Sequence, residues 1–202
     1  MAKWLKRHPN NLRLCAEVTF NGDLPYIPPL IIDDLPTKWI GFNEVKSFRG
    51  DKSSTGVHFF IDDYQFERIW KSPLRYLDML KDFKLVTSPD FSLYEDMPYA
   101  MQLWNLYRGL LVGALWSEYG LMVVPSVSWS SKLNDFGIYG RGVVAVSSVG
   151  VLKDVDKRDI FVDGFKKMIE ELDPIKILFF GVVPCGVDCN RIINCERSFY
   201  EY

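Results

Sequence analysis

The sequence predicts an α/β fold: a mainly parallel sheet of about five or six strands with flanking helices. Three observations carry this. Compact apolar runs of strand length recur at 57–61, 84–88, 121–129, 142–150 and 176–183. Runs of this kind, rather than strict alternation, mark strands covered on both faces. Segments with helical spacing lie between them, at 64–70, 73–83, 98–120 and 163–174. No early Gly-rich phosphate fingerprint follows any strand. That inclines the architecture from an open doubly wound sheet toward a partial, (β/α)-barrel-like array.

The elements follow in order. Residues 16–20 suggest a short strand, and the proline-punctuated stretch 24–30 should run extended across the surface. Asp33, Asp34 and Pro36 turn the chain into a short strand at 38–43, and 48–56 reads as an exposed loop. His58 begins the 57–61 strand and reads as a core residue between apolar neighbours. Asp62 and Asp63 end that strand, and Pro73 suits a first helical turn. Pro89 stops the 84–88 strand. In the 98–120 helix, Met101, Trp104, Leu111 and Leu115 form the apolar stripe, widened by Tyr107 and Leu110, with Gly120 as its stop. The tail, 184–202, shows no period.

The 202 residues fit a single α/β domain, with 1–37 as an N-terminal extension and 184–202 as a cysteine-containing tail. A composition 48% hydrophobic and 25% charged supplies a core and excludes disorder. A net charge of −2 and a pI near 5.7 make nucleic acid a weaker partner, although Lys3, Lys6, Arg7 and Arg13 make the start basic. The most apolar stretch, 97–120, contains Gln102, Asn105, Arg108 and Glu118, too polar for a bilayer. The basic start has no apolar h-region, so a cytoplasmic location is expected.

Several segments carry a family resemblance: "GVHFFIDDYQFERIW" at 56–70, "SPDFSLYEDMP" at 88–98, "NLYRG" at 105–109, "VPSVSWS" at 124–130 and "VAVSSVGV" at 144–151. Over roughly residues 24–183 the chain resembles domain-of-unknown-function family 4417. The family is met in bacteria and in their phages and mobile elements. The resemblance implies such a context and brings no mechanism. Nothing is carried over to the cysteine tail.

The candidate site is the carboxyl end of the parallel strands, where open sheets and barrels alike place function. Asp62, Asp63 and Asp90 are the candidate catalytic carboxylates, suited to acid–base work or a divalent metal. Helix capping is the competing reading of Asp62 and Asp63. Ser88, Ser92 and Tyr94 offer hydroxyls past the 84–88 strand, against a bland turn-and-cap reading. Ser126, Ser128 and Ser130 share one face of an extended segment beside Trp129, suited to a sugar or base ring; an edge strand entering a loop is the plainer alternative. Ser147 and Ser148, with Gly150, end a further strand. Gln102, Asn105 and Arg108 lie on one side of the long helix. A solvated face is the usual explanation of such a stripe. The alternative is that Asn105 and Arg108 reach inward and brace the loop at 88–96. Cys185, Cys189 and Cys195 lack an obvious fourth ligand, with Cys15 and His8 as remote candidates, so ordinary reduced thiols are expected. Metal and cofactor stay open.

Two functions fit. The first is binding, with possible metal-assisted hydrolysis, of a nucleotide-like or phosphorylated small ligand at the strand ends. The second is a protein-interaction factor of a phage or mobile element, a host-defence inhibitor or replication accessory. Its aromatic surface residues, including Tyr94, Tyr99, Trp129, Tyr139 and the terminal 198–202, would then meet a host protein.

Overall fold

In a computed structural model of the protein, residues 10–151 and 154–195 are described. His8, Lys3, Lys6, Arg7 and the aromatic end at 198–202 lie outside them. A minimal antiparallel pair, β1 (Phe20–Asn21) and β2 (Leu24–Pro25), opens the fold. The strand predicted at 16–20 is instead a 3-10 turn at Cys15–Glu17 ahead of β1. The body alternates β3 (Lys38–Gly41), β4 (Thr55–His58), α1 (Glu67–Lys71), α2 (Leu77–Leu80), β5 (Leu85–Thr87), α3 (Tyr99–Glu118), β6 (Val123–Val124), β7 (Val143–Ser147), α4 (Val155–Leu172), β8 (Lys176–Phe180) and β9 (Ile192–Cys195).

Strands β3-β4-β5-β6 form one parallel sheet and β7-β8-β9 another, each in chain order. A parallel bridge between Ser126 and Ala145 joins them. Pro125 has no N–H to extend β6. The ladder resumes where Ala145 donates to the Pro125 carbonyl (2.9 Å) and Val127 to the Ala145 carbonyl (2.8 Å).

This array curls. In a flat sheet β3 and β8, five spacings of about 4.8 Å apart, would be separated by roughly 24 Å. Yet the rings of Trp39 and Phe180 lie 5.2 Å apart, edge to face. Trp39, Phe60, Leu85, Val124, Ala145, Leu178 and Cys195 fill the concave side. Their chain neighbours Ile40, Phe59, Val86, Val123, Val144 and Phe179 pack into the larger outer core with the helices. The result is a partial, barrel-like α/β fold without closure, because β3 and β9 do not pair.

Several boundaries differ from the sequence reading. β4 begins at Thr55 and ends at His58, so His58 closes the strand; it is buried, its ring 4.9 Å from that of Phe180. The predicted helices at 64–70 and 73–83 are two short α-helices interleaved with 3-10 turns at Asp63–Gln65 and Pro73–Tyr76. The stretch at 24–30 does not stay on the surface: Ile27 is buried, and Leu30 packs against the concave core. α4 starts eight residues before the predicted 163. Asp154 caps it, accepting from the amides of Asp156 and Lys157. Its buried stripe begins only at Phe161, so the first turns carry no apolar period. The aperiodic tail contains β9, a short strand beside β8. Among the described residues no helix is long and apolar enough to cross a membrane.

Candidate functional site

Past their ends β5 and β6 run on side by side, joined rung by rung. The Ser126 amide donates to Ser88 Oγ (2.8 Å), and Ser126 Oγ to the Ser88 carbonyl (2.6 Å). Two residues on, Ser128 Oγ donates a short hydrogen bond to Asp90 Oδ1. Two further, Ser130 Oγ donates to Gln102 Oε1 (2.6 Å). The three serines share a face, as a period of two requires. Trp129 faces the other way, onto α4. Its ring centre is 5.1 Å from that of Phe161, and a Cβ at Gly164 would fall 2.1 Å from the indole nitrogen.

Beside this ladder opens a cavity of 720 Å³, at the carboxyl ends of β5, β6 and β7. Its lining includes Asp90, Ser92 and Tyr94 from the loop after β5, Ser128 and Trp129 from the segment after β6, Ser147 at the end of β7, and Lys157 and Phe161 of α4. Ser88 and Ser126 lie deeper, on a 20 Å³ crevice that Asp90 and Ser128 also line. Asp90 thus sits where crevice and cavity meet.

Burial pushes the Asp90 carboxyl up to about 7, with the nearby charge of Asp63 adding to the rise and the Ser128 hydrogen bond opposing it. A carboxyl poised near neutrality exchanges its proton readily in either direction. The Cys195 thiol is pushed up to about 12 by burial, a protonated and inert group. All the described cysteines are free, and no group of His, Cys, Asp or Glu side chains among the described residues is placed to hold a metal ion.

The loop carrying Asp90 is tied on both flanks. Ser92 donates to Asp63 through its amide (3.2 Å) and its hydroxyl (2.8 Å). Asn105 Nδ2 donates to the Ser92 carbonyl (2.7 Å), and Gln102 Nε2 to the Tyr94 carbonyl (2.8 Å). Arg108 donates to Asn105 Oδ1 and to Glu67 Oε1, both at 2.7 Å, with its guanidinium 3.8 Å from the Phe91 ring centre. Its Nε has no hydrogen-bond partner among the described residues.

The structure therefore brings together Asp90, Ser92, Tyr94, Ser128, Trp129 and Ser147 on one cavity. Ser88 and Ser126 pair with each other beneath it. Asn105 and Arg108 brace its wall, so the face with Gln102 is buried rather than solvated. The loop after β4 does not reach the cavity. Asp62 is exposed and Asp63 is engaged by Ser92, so the carboxylates Asp62, Asp63 and Asp90 do not form one cluster, and neither Asp62 nor Asp63 caps a helix with its side chain. The sequence reading missed Glu95, Asp96, Lys157 and Phe161 on the cavity wall. The last two sit in the helical turns of α4 that precede the predicted start at 163. Only the Asp at 154, a favoured N-cap, signalled them.

The family described as domain of unknown function (DUF4417) matches residues 22–196. This extends past the segment on which the resemblance rests and takes in all three tail cysteines. The Gene 1 protein of Mycobacterium phage L5 is 35% identical over 176 residues, covering 85% of this chain and 76% of that protein. The Gene 1 protein of Mycobacterium phage D29 is 36% identical over 133 residues, covering 64% of this chain and 49%, about half, of that protein. No solved structure matches the chain. By a match over most of its length, and with these phage proteins as relatives, the chain belongs to the DUF4417 family.

Proposed function

We propose that this phage-type protein binds a small nucleotide-like ligand in the cavity at the carboxyl ends of β5, β6 and β7. The observation that carries the reading is Asp90, a carboxyl poised near 7 in the lining of a 720 Å³ cavity shared with Trp129, Tyr94 and hydroxyls. The volume suits a small organic molecule, the aromatic rings a planar base, and Ser92 and Ser147 sugar oxygens. Asp90, Glu95 and Asp96 stand against Lys157 on the described wall. That balance favours a nucleoside or monophosphate over a polyphosphate. Asp90 would act as the general acid or base in any hydrolysis. A metal-assisted route would need donors that the described residues do not group together.

A thermal-shift panel of nucleosides and nucleoside monophosphates, each with and without magnesium or manganese, tests this. At least one should raise the melting temperature saturably, and Asp90→Asn should weaken its binding tenfold or more. A wild-type protein that responds to none of them would overturn the reading.

A second reading, a protein-interaction factor meeting a host protein, is favoured by the outer face of α3. Met101 and Trp104 are 51% and 37% exposed there, and Tyr99, at the first position of the helix, is 52% exposed. Trp104 is held rigid by stacking on Tyr107 at 5.6 Å and by the Trp70 edge at 5.2 Å, as an interface anchor should be. A host protein retained by the wild type and lost on Trp104→Glu, with the melting temperature unchanged, would support it. Equal retention by both would remove it.

A further inference from the structure

We infer that Arg108 is a positioning residue for Asp90, acting through Asn105 and Phe91 to hold the 90–92 turn against Ser128. The geometry is a relay across three segments. Glu67, in the first turn of α1, accepts from one arm of the guanidinium, and Asn105, one turn earlier on α3, accepts from the other. Asn105 passes the hold to the Ser92 carbonyl. The guanidinium plane itself lies over Phe91, whose ring also meets Phe66 at 5.1 Å. Phe91, next to Asp90, and Ser92, one residue further, are thus both held by this relay. Asp90 itself lines both the crevice and the cavity, with Ser128 donating to its carboxylate on one side.

A rigid planar fork explains why arginine stands here. One side chain donates in two directions and stacks at the same time, which a lysine ammonium does not reproduce. The charged and titratable groups around Asp90 are Asp63 from the turn after β4, Glu95 and Asp96 from its own loop, and Lys157 from α4. Arg108 does not line the cavity.

The inference rests on Asp90 being the working group of the proposed site, but its readout needs no ligand, so the two fail separately. The experiment is a carboxylate ¹³C NMR titration of the full chain, as wild type, Arg108→Lys, Arg108→Met and the milder Glu67→Gln. The sign of the change separates the causes. Loss of positive charge alone raises the Asp90 midpoint. Release of the turn hydrates Asp90 and lowers the midpoint toward the ordinary carboxylate value of about 3.9. Arg108→Lys keeps the charge, so positioning predicts a fall of one pH unit or more in that variant. Glu67→Gln removes a negative charge and lowers the midpoint on that ground alone, so its fall must be the smaller of the two. An Asp90 midpoint unmoved in Arg108→Lys, with only the melting temperature reduced, would show a merely structural arginine and overturn the inference. If Arg108→Met does not fold, the charge-conserving lysine variant still decides it.

Discussion

Asp90 ties stability to pH. In the folded chain it keeps its proton to about pH 7; in the unfolded chain, only to about pH 4. Between those values the folded state binds more protons, so this group's contribution is fully present below about pH 4 and is lost as pH rises through about 7. Over three pH units the loss is on the order of 4 kcal/mol. Asp90→Asn keeps an acceptor for Ser128 and cannot ionise. Urea denaturation between pH 4 and 8 should therefore show a flatter profile for Asp90→Asn, and a more stable protein at pH 8. Parallel profiles for the two proteins would mean that Asp90 ionises freely in the folded state. The sequence pointed to Asp90 through its place after a strand-ending Ser-Pro. Its altered acidity was not legible, because it arises from burial by segments far apart in the chain and from the charge of Asp63, in the turn after β4, against the opposing hydrogen bond of Ser128.

At the scale of elements, α3 is where pattern and packing diverge. Its length was legible, from Pro98 to Gly120, but its first half faces the opposite way from the expected stripe. Met101 and Trp104 look outward, while Gln102, Asn105 and Arg108 are buried against the loop that carries Asp90. The backbone carbonyls of that loop have no strand partner, and the polar side chains of α3 satisfy them. Close approach makes this possible: a Cβ at Gly109 would fall 2.5 Å from the Pro89 carbonyl oxygen. Gly109→Ala would gain about 1 kcal/mol of helix propensity. It would also force helix and loop apart, at a cost of about 1–3 kcal/mol. Net destabilisation by chemical denaturation, with weakened ligand response, is the expected outcome. An alanine variant as stable as or more stable than wild type would show that the loop gives way freely.

At the scale of the molecule, the sequence by itself determined the α/β class, the parallel arrangement and the polar strand ends. It could do so because strands covered on both sides must be apolar throughout, and because strand ends in such a sheet must turn through polar residues. Boundaries were weaker wherever exposure hid the period, as in the first turns of α4 and in β9. The tertiary structure alone decided which strand ends share a cavity. The loops after β5, β6 and β7 converge, whereas the loop after β4 contributes only Asp63, as an anchor for Ser92. That choice depends on how far the sheet curls and on how closely a glycine lets a helix approach. Both arise from contacts between residues far apart in the chain, which no local pattern of residues records.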